Sequence, residues 1–116
     1  MEERLISFSI KMLSVAESLP QSMSGKHLAN QLTRSGTSPA LNYGEAQGAE
    51  SKKDFVHKMR IILKELRETR VCLIIIIRKP VGKNTSEIEA GLKECNELIA
   101  IFAKSIKTVQ TNINKK

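Results

Sequence analysis

Residues 51–79, SKKDFVHKMRIILKELRETRVCLIIIIRK, decide the fold of this chain. Phe55, Met59, Ile62, Leu66, Thr69, Leu73 and Ile76 recur at intervals of 4-3-4-3-4-3, the period that keeps one helix face turned to a partner helix. Thr69 is the only polar member of that seam. Ser51, with Asp54 three residues on, has the form of a capping box with a shortened acid and puts a carboxylate in the positive first turn, so a helix starts there. The run VCLIIII at 71–77 has the β-branching of a strand, yet it continues the seam unbroken and has no second strand to pair with. Being apolar on every side, it needs cover beyond one helix, and Ile74, Ile75 and Ile77 are the expected subunit interface.

This helix is expected over about 52–79, ended by Lys79, Pro80 and Gly82. A fourth helix, about 86–113, follows a cap at Thr85 or Ser86, and Ser86 with Glu89 matches the full capping box. Ile88, Leu92, Cys95, Ile99, Phe102, Ile106, Val109 and Ile113 form its seam at 4-3-4-3-4-3-4, widened by Leu98 and Ile101. The polar end from Asn114 to Lys116 is expected to fray. Upstream, Leu5, Phe8, Met12, Val15 and Leu19 mark a first helix over about 3–19 that stops before Pro20. A second helix, about 25–48, follows Ser24 as its cap and carries Leu28 and Leu32. Four helices on short turns make one all-α domain over 1–116, an up-down-up-down four-helix bundle.

The middle of the second helix holds Pro39. Inside a helix, proline leaves the carbonyl of Ser35 without its partner and bends the axis, at a cost of about 3 kcal/mol if nothing compensates. Thr37 and Ser38 supply hydroxyls to freed backbone groups, and Ser35, Gly36 and Ala40 are small enough for a neighbouring helix to approach. A bent helix running on to Ala46, capped by Gly48, is one reading; two shorter helices broken between Gly36 and Pro39 is the other. Facing inward past the bend, Asn42 and Glu45 need hydrogen-bond partners, which Arg34 or the third helix can provide; the expected outcome is a structural polar network docking helices two and three.

At 116 residues and 41% apolar, with three Phe, one Tyr and no Trp, the chain has material for one aliphatic core. The 19 Lys and Arg against 12 Asp and Glu give +7 and a pI near 9.7, a field that attracts polyanions, of which nucleic acid is the commonest in cells. The start, MEERLISF, lacks the basic flank of a secretory signal, and the apolar run at 71–77 is far too short to span a membrane. A cytoplasmic location without membrane contact is therefore expected. Cys72 and Cys95 fit that compartment as apolar helix residues and not as a disulfide.

Lys53, His57, Arg60, Lys64 and Arg67 also follow a 4-3-4-3 spacing, each two residues before a seam position and so about 200° round the helix from it. A row of cations on one helix can follow a phosphate backbone without reading bases; an ordinary solvated face has the same appearance. Scarce aromatics argue against stacking of single-stranded bases. His27 and His57 have no spaced Cys or carboxylate partners for a metal, Cys72 lies in an apolar run that disfavours a thiolate, and the glycines do not have phosphate-loop spacing. No catalytic residue, cofactor or metal is expected.

Residues 34–46, RSGTSPALNYGEA, followed by SKKDFVHKMRIILKELRETRVCL, resemble the four-helix-bundle family first known from open reading frames in 23S ribosomal RNA intervening sequences. The matching positions are Arg34, Ser35, Asn42, Glu45, Ser51, Phe55, Leu66 and Glu68. The commoner branch of that family has N-I-A-E-G and G-S-L; Asn42-Tyr43-Gly44-Glu45-Ala46 and Lys64-Glu65-Leu66 are more similar to a second branch with N-Y-x-E-A and K-E-x-x-E-T. The resemblance extends over nearly the whole chain and is specific from about Arg34 to Leu73. It implies a helical bundle, assembly of copies into a ring-like pentamer and, through a distant relative that serves diversity-generating retroelements, contact with a nucleic-acid-processing protein and with nucleic acid. It places Arg34 and Glu68 with Asn42 and Glu45 in the polar network. Two functions stay open: an oligomeric module that binds RNA or DNA through the basic row, and a protein-binding or self-assembly scaffold.

Overall fold

The computed structural model describes residues 1–79 and 85–114, and only the backbone of Thr85. The turn expected at Pro80 and Gly82, Lys115 and Lys116 lie outside the described residues. Four helices follow one another: α1 Glu2–Ser18, α2 Met23–Ala46, α3 Lys52–Arg78 and α4 Thr85–Asn114. The connections at 19–22 and 47–51 are too short to do anything but reverse the chain, so successive helices run antiparallel. Each helix packs on its two neighbours in a square, α1 on α2, α2 on α3, α3 on α4 and α4 on α1, while the diagonal pairs do not meet. Among the described residues there is no strand, and no helix is long and apolar enough to cross a membrane.

The heptad seams become the core. Leu5, Phe8, Met12, Val15 and Leu19 of α1 and its C-cap are buried, as are Met59, Ile62, Leu66, Thr69, Leu73 and Ile76 of α3. Phe55, Leu92, Ile99, Val109 and Ile113 pack on this cluster from its edges, and Leu98 is as fully enclosed as the α4 seam residues Cys95 and Phe102. Thr69, the polar member of the α3 seam, is fully buried because it has partners: its hydroxyl reaches Ser35 Oγ on α2 at 3.0 Å and the carbonyl of Glu65 at 2.9 Å. Every buried side-chain nitrogen or oxygen among the described residues is hydrogen-bonded.

The start of α2 corrects the expected register by two residues. Ser22, not Ser24, is the cap: its Oγ accepts from the backbone N–H of Gly25 at 3.1 Å. Ser51 caps α3 as its spacing requires, accepting from the N–H of Asp54 at 3.0 Å. α4 begins at Thr85, whose side chain, one of the two expected caps, lies outside the described residues.

Of the two readings of Pro39, the structure has the continuous one: α2 runs unbroken from Met23 to Ala46 with Pro39 buried inside it. Neighbouring side chains bond to nearby backbone carbonyls. Thr37 Oγ1 donates to the carbonyl of Thr33 at 2.7 Å, and Asn42 Nδ2 donates to the carbonyl of Ser38 at 3.0 Å. The helix is held on one side by α1 and on the other by α3, which compensates for the missing backbone donor. It ends one residue earlier than Gly48: Gln47 is the cap, and the Gly48 N–H follows it back to the carbonyl of Glu45 at 3.1 Å.

Candidate nucleic-acid interface

The basic row lies on the face of α3 opposite its buried seam, and Lys53, His57, Arg60, Lys64 and Arg67 are all exposed. Among the described residues none of the five forms an ion pair, whereas Arg4, Arg34 and Lys58 all do. The row divides into two stretches. Lys53, His57 and Arg60 border an open groove of about 280 Å³ with Gln110 and Asn114 of α4, floored by Val56 and Ile113 and free of carboxylates. Lys64 and Arg67 border a second, wider groove with Gln31, Arg34, Glu68 and Val71. The first stretch has no carboxylate among its lining residues and has side-chain amides beside it; the second has a carboxylate in it.

That carboxylate belongs to the polar network between α2 and α3. Arg34 Nη2 donates to Glu68 Oε2 at 2.9 Å and to Gln31 Oε1 at 3.2 Å, and its Nη1 donates to Glu65 Oε2 at 3.2 Å. Asn42 and Glu45 do not join it. Asn42 bonds within its own helix to Ser38, and Glu45 Oε1 accepts from Lys58 Nζ at 3.4 Å, about two turns before Glu65 towards the start of α3. The sequence reading missed Glu65, whose signal is its place three residues before Glu68, which turns both carboxylates to one side of α3.

The two carboxylates titrate in opposite directions. Burial pushes the Glu65 carboxyl above the usual range, and the charge of Glu68 adds to the effect. The Arg34 hydrogen bond holds Glu68 below it. For Glu65 the folded state binds the proton more tightly than the unfolded chain, so its ionisation subtracts stability as pH rises through the raised value; Glu68 adds stability that is lost on acidification. Glu65→Gln retains an acceptor for Arg34 and removes the buried charge. Thermal melts are therefore expected to place the variant level with the native protein at about pH 3 and a few degrees above it at about pH 7. A variant that melts lower at neutral pH would show that the Arg34 pairing outweighs the burial.

Burial pushes the Cys72 thiol up to about 11 and the Cys95 thiol up to about 12, so neither supplies a thiolate. Among the described residues no three His, Cys, Asp or Glu side chains come together as a metal site. Within the expected interface, Ile77 is half-buried and packs on the core of its own bundle. Ile75 is 45% exposed, Ile74 is half-buried, and Val71, 50% exposed, lines the same open groove as both.

With four antiparallel helices, an α2 that runs through Pro39 and an Arg34–Glu68 pair at its centre, comparison with known proteins is decisive. The family model described as 23S rRNA-intervening sequence protein matches residues 3–104. The chain belongs to that family. A family neighbour of known structure is the protein of unknown function from the S23 ribosomal protein family of Bacteroides thetaiotaomicron, solved by crystallography at 1.70 Å. It is 27% identical, with a TM-score of 0.83 over 91% of this chain and 97% of that one. No curated protein matches the sequence.

Proposed function

We propose that this family member is a non-catalytic nucleic-acid-binding module that holds a phosphate backbone along α3 through Lys53, His57, Arg60, Lys64 and Arg67. The observation that supports this reading is the row itself. Five exposed basic side chains follow one helix over about 21 Å, none spent on an ion pair among the described residues, in a chain of net charge +7. Phosphate contacts of this kind give affinity and register without base selection. The aromatic side chains are taken by the interior: Phe8 and Phe102 are buried, and Phe55 and Tyr43 pack on the core, so no platform is left for stacking bases. The family's name refers to intervening sequences of 23S rRNA, which makes RNA the first polyanion to test.

Fluorescence anisotropy with a labelled RNA pool and with duplex DNA, across a salt series, is the test. The native protein is expected to bind with a log–log salt slope of about −3 to −5, weakly selective for sequence. Lys53→Glu with Arg60→Glu and Lys64→Glu is expected to weaken binding by at least about tenfold and to flatten that slope. Lys93→Glu, on the remote face of α4, is the control and leaves binding unchanged. Absence of binding at low salt, or binding indifferent to the triple reversal, overturns the proposal.

A further inference from the structure

The groove beside the first stretch of the basic row holds two amides that a row of point charges does not require. α4 runs antiparallel to α3, so its last turns lie against the start of α3 and bring Gln110 and Asn114 to the groove bordered by Lys53, His57 and Arg60. Four residues apart, the two amides share one side of α4 and stand about 6 Å apart along it. Among the described residues neither has a hydrogen-bond partner. The half-buried side-chain amides among those residues are Asn42 and Gln110. Asn42 bonds to Ser38, whereas Gln110 lines the groove with its donors and acceptor unspent. The second stretch has no free amide to match. Gln31 Oε1 already accepts from Arg34 there, and Glu68 lies alongside.

We infer that Gln110 and Asn114 read the ribose 2′-hydroxyl of a strand whose phosphates lie on Lys53 and Arg60, so that this groove selects RNA over DNA. The inference rests on the proposed backbone contact along α3 and adds to it the residues that choose the sugar. A carboxamide carries both donor and acceptor, the complement of a hydroxyl that does both, and the 2′-hydroxyl is what distinguishes RNA from DNA at a given site. Lys53 and Arg60 stand about 10 Å apart along α3, which leaves room for two phosphates with a sugar between them. With the phosphates on α3, that sugar comes over the groove, since it is the next group along the strand. The bases extend further out, because the aromatic rings pack in or on the core and offer them no platform. Val56 and Ile113 floor the groove and suit the C–H edge of a sugar ring, and no carboxylate lines it to repel the adjoining phosphates.

The test is fluorescence anisotropy with one labelled mixed-sequence single strand made as RNA, as DNA and as 2′-O-methyl RNA, at one low salt concentration. The native chain is expected to bind the RNA about three- to tenfold more tightly than the DNA, the worth of about one net hydrogen bond. The 2′-O-methyl strand, which has lost the donor and gained a methyl group, is expected to bind as the DNA does. Gln110→Leu with Asn114→Ala is expected to bring RNA down to the DNA level, with DNA affinity, salt slope and helical circular dichroism unchanged. The triple charge reversal on α3 weakens RNA and DNA alike. The 2′-O-methyl comparison alters only the ligand, so it decides the question whether or not the variant folds as the native chain does. Equal native affinity for RNA and DNA overturns this inference and leaves the backbone contact standing. So do a 2′-O-methyl strand that binds as tightly as RNA, a preference that survives the double substitution, and a loss that falls equally on both sugars. A native chain that binds none of the three strands overturns the proposed function and this inference with it.

Discussion

Phe102→Ala is expected to remove about 3–5 kcal/mol of unfolding free energy. The ring is 1% exposed and meets the Tyr43 ring edge-on, with centroids 6.2 Å apart and planes at 85°. Its position makes the loss large. Arg4, near the start of α1, pairs with Glu94 and Glu97, so the later turns of the antiparallel α4 run on past that start, and Phe102 is the largest side chain enclosed there. Truncation removes the transfer energy of the ring, the edge contact with Tyr43 and the filling of a space that backbone shifts close only in part. For a domain of this length, total stability is about 6–17 kcal/mol, so the substitution takes a substantial fraction of it. Urea unfolding followed by circular dichroism measures it. A lower midpoint with an unchanged slope is the expected result, and a loss below about 1 kcal/mol would mean that this end of α4 contributes little to the cooperative unit.

The second large effect is expected at Gly36, where α1 and α2 cross. A Cβ there would stand 2.6 Å from Met12 Cβ and 2.8 Å from Met12 Cγ, contacts at the root of the side chain that no rotamer relieves. Ser9 marks the same close approach, its hydroxyl donating to the carbonyls of Leu5 at 3.0 Å and Gly36 at 3.3 Å. Gly36→Val is expected to destabilise the protein by about 3 kcal/mol, because the few tenths regained in helix propensity are small beside the cost of forcing two helices apart. Gly44, in the same helix, is the contrast: nothing lies within 4 Å of its missing Cβ, and Gly44→Ala is expected to stabilise by about 0.5–1 kcal/mol. Equal effects at the two positions would show that the helix crossing is looser than this packing implies.

These two glycines illustrate what a linear reading resolves. Both sit in α2, and their sequence contexts, Ser35-Gly36-Thr37 and Tyr43-Gly44-Glu45, do not separate a packing glycine from an idle one. The difference lies in Met12, 24 positions away on another helix. The same applies to Pro39. Local chemistry left a bent helix and a broken one in competition, and α2 is continuous because α1 and α3 flank it along its length.

The sequence by itself determined the four helices, their antiparallel order and most of their buried faces. Those are properties of period and punctuation: seams such as Phe55 to Ile76, the Ser51 cap and short turns carry their information within a few residues along the chain. It also determined the exposed cationic row of α3, since a residue about 200° from a buried seam has nowhere to face but outward. Only the tertiary structure decided that Arg34 takes Glu65 as well as Glu68, that Asn42 turns to Ser38 and Glu45 to Lys58, that Ser35 partners Thr69, and that Ile77 packs against the edge of the core while Val71 is exposed. Each of these depends on the rotation and height of one helix against another, set by all the seams packing at once. A period describes one helix about its own axis and holds no information about that relative rotation.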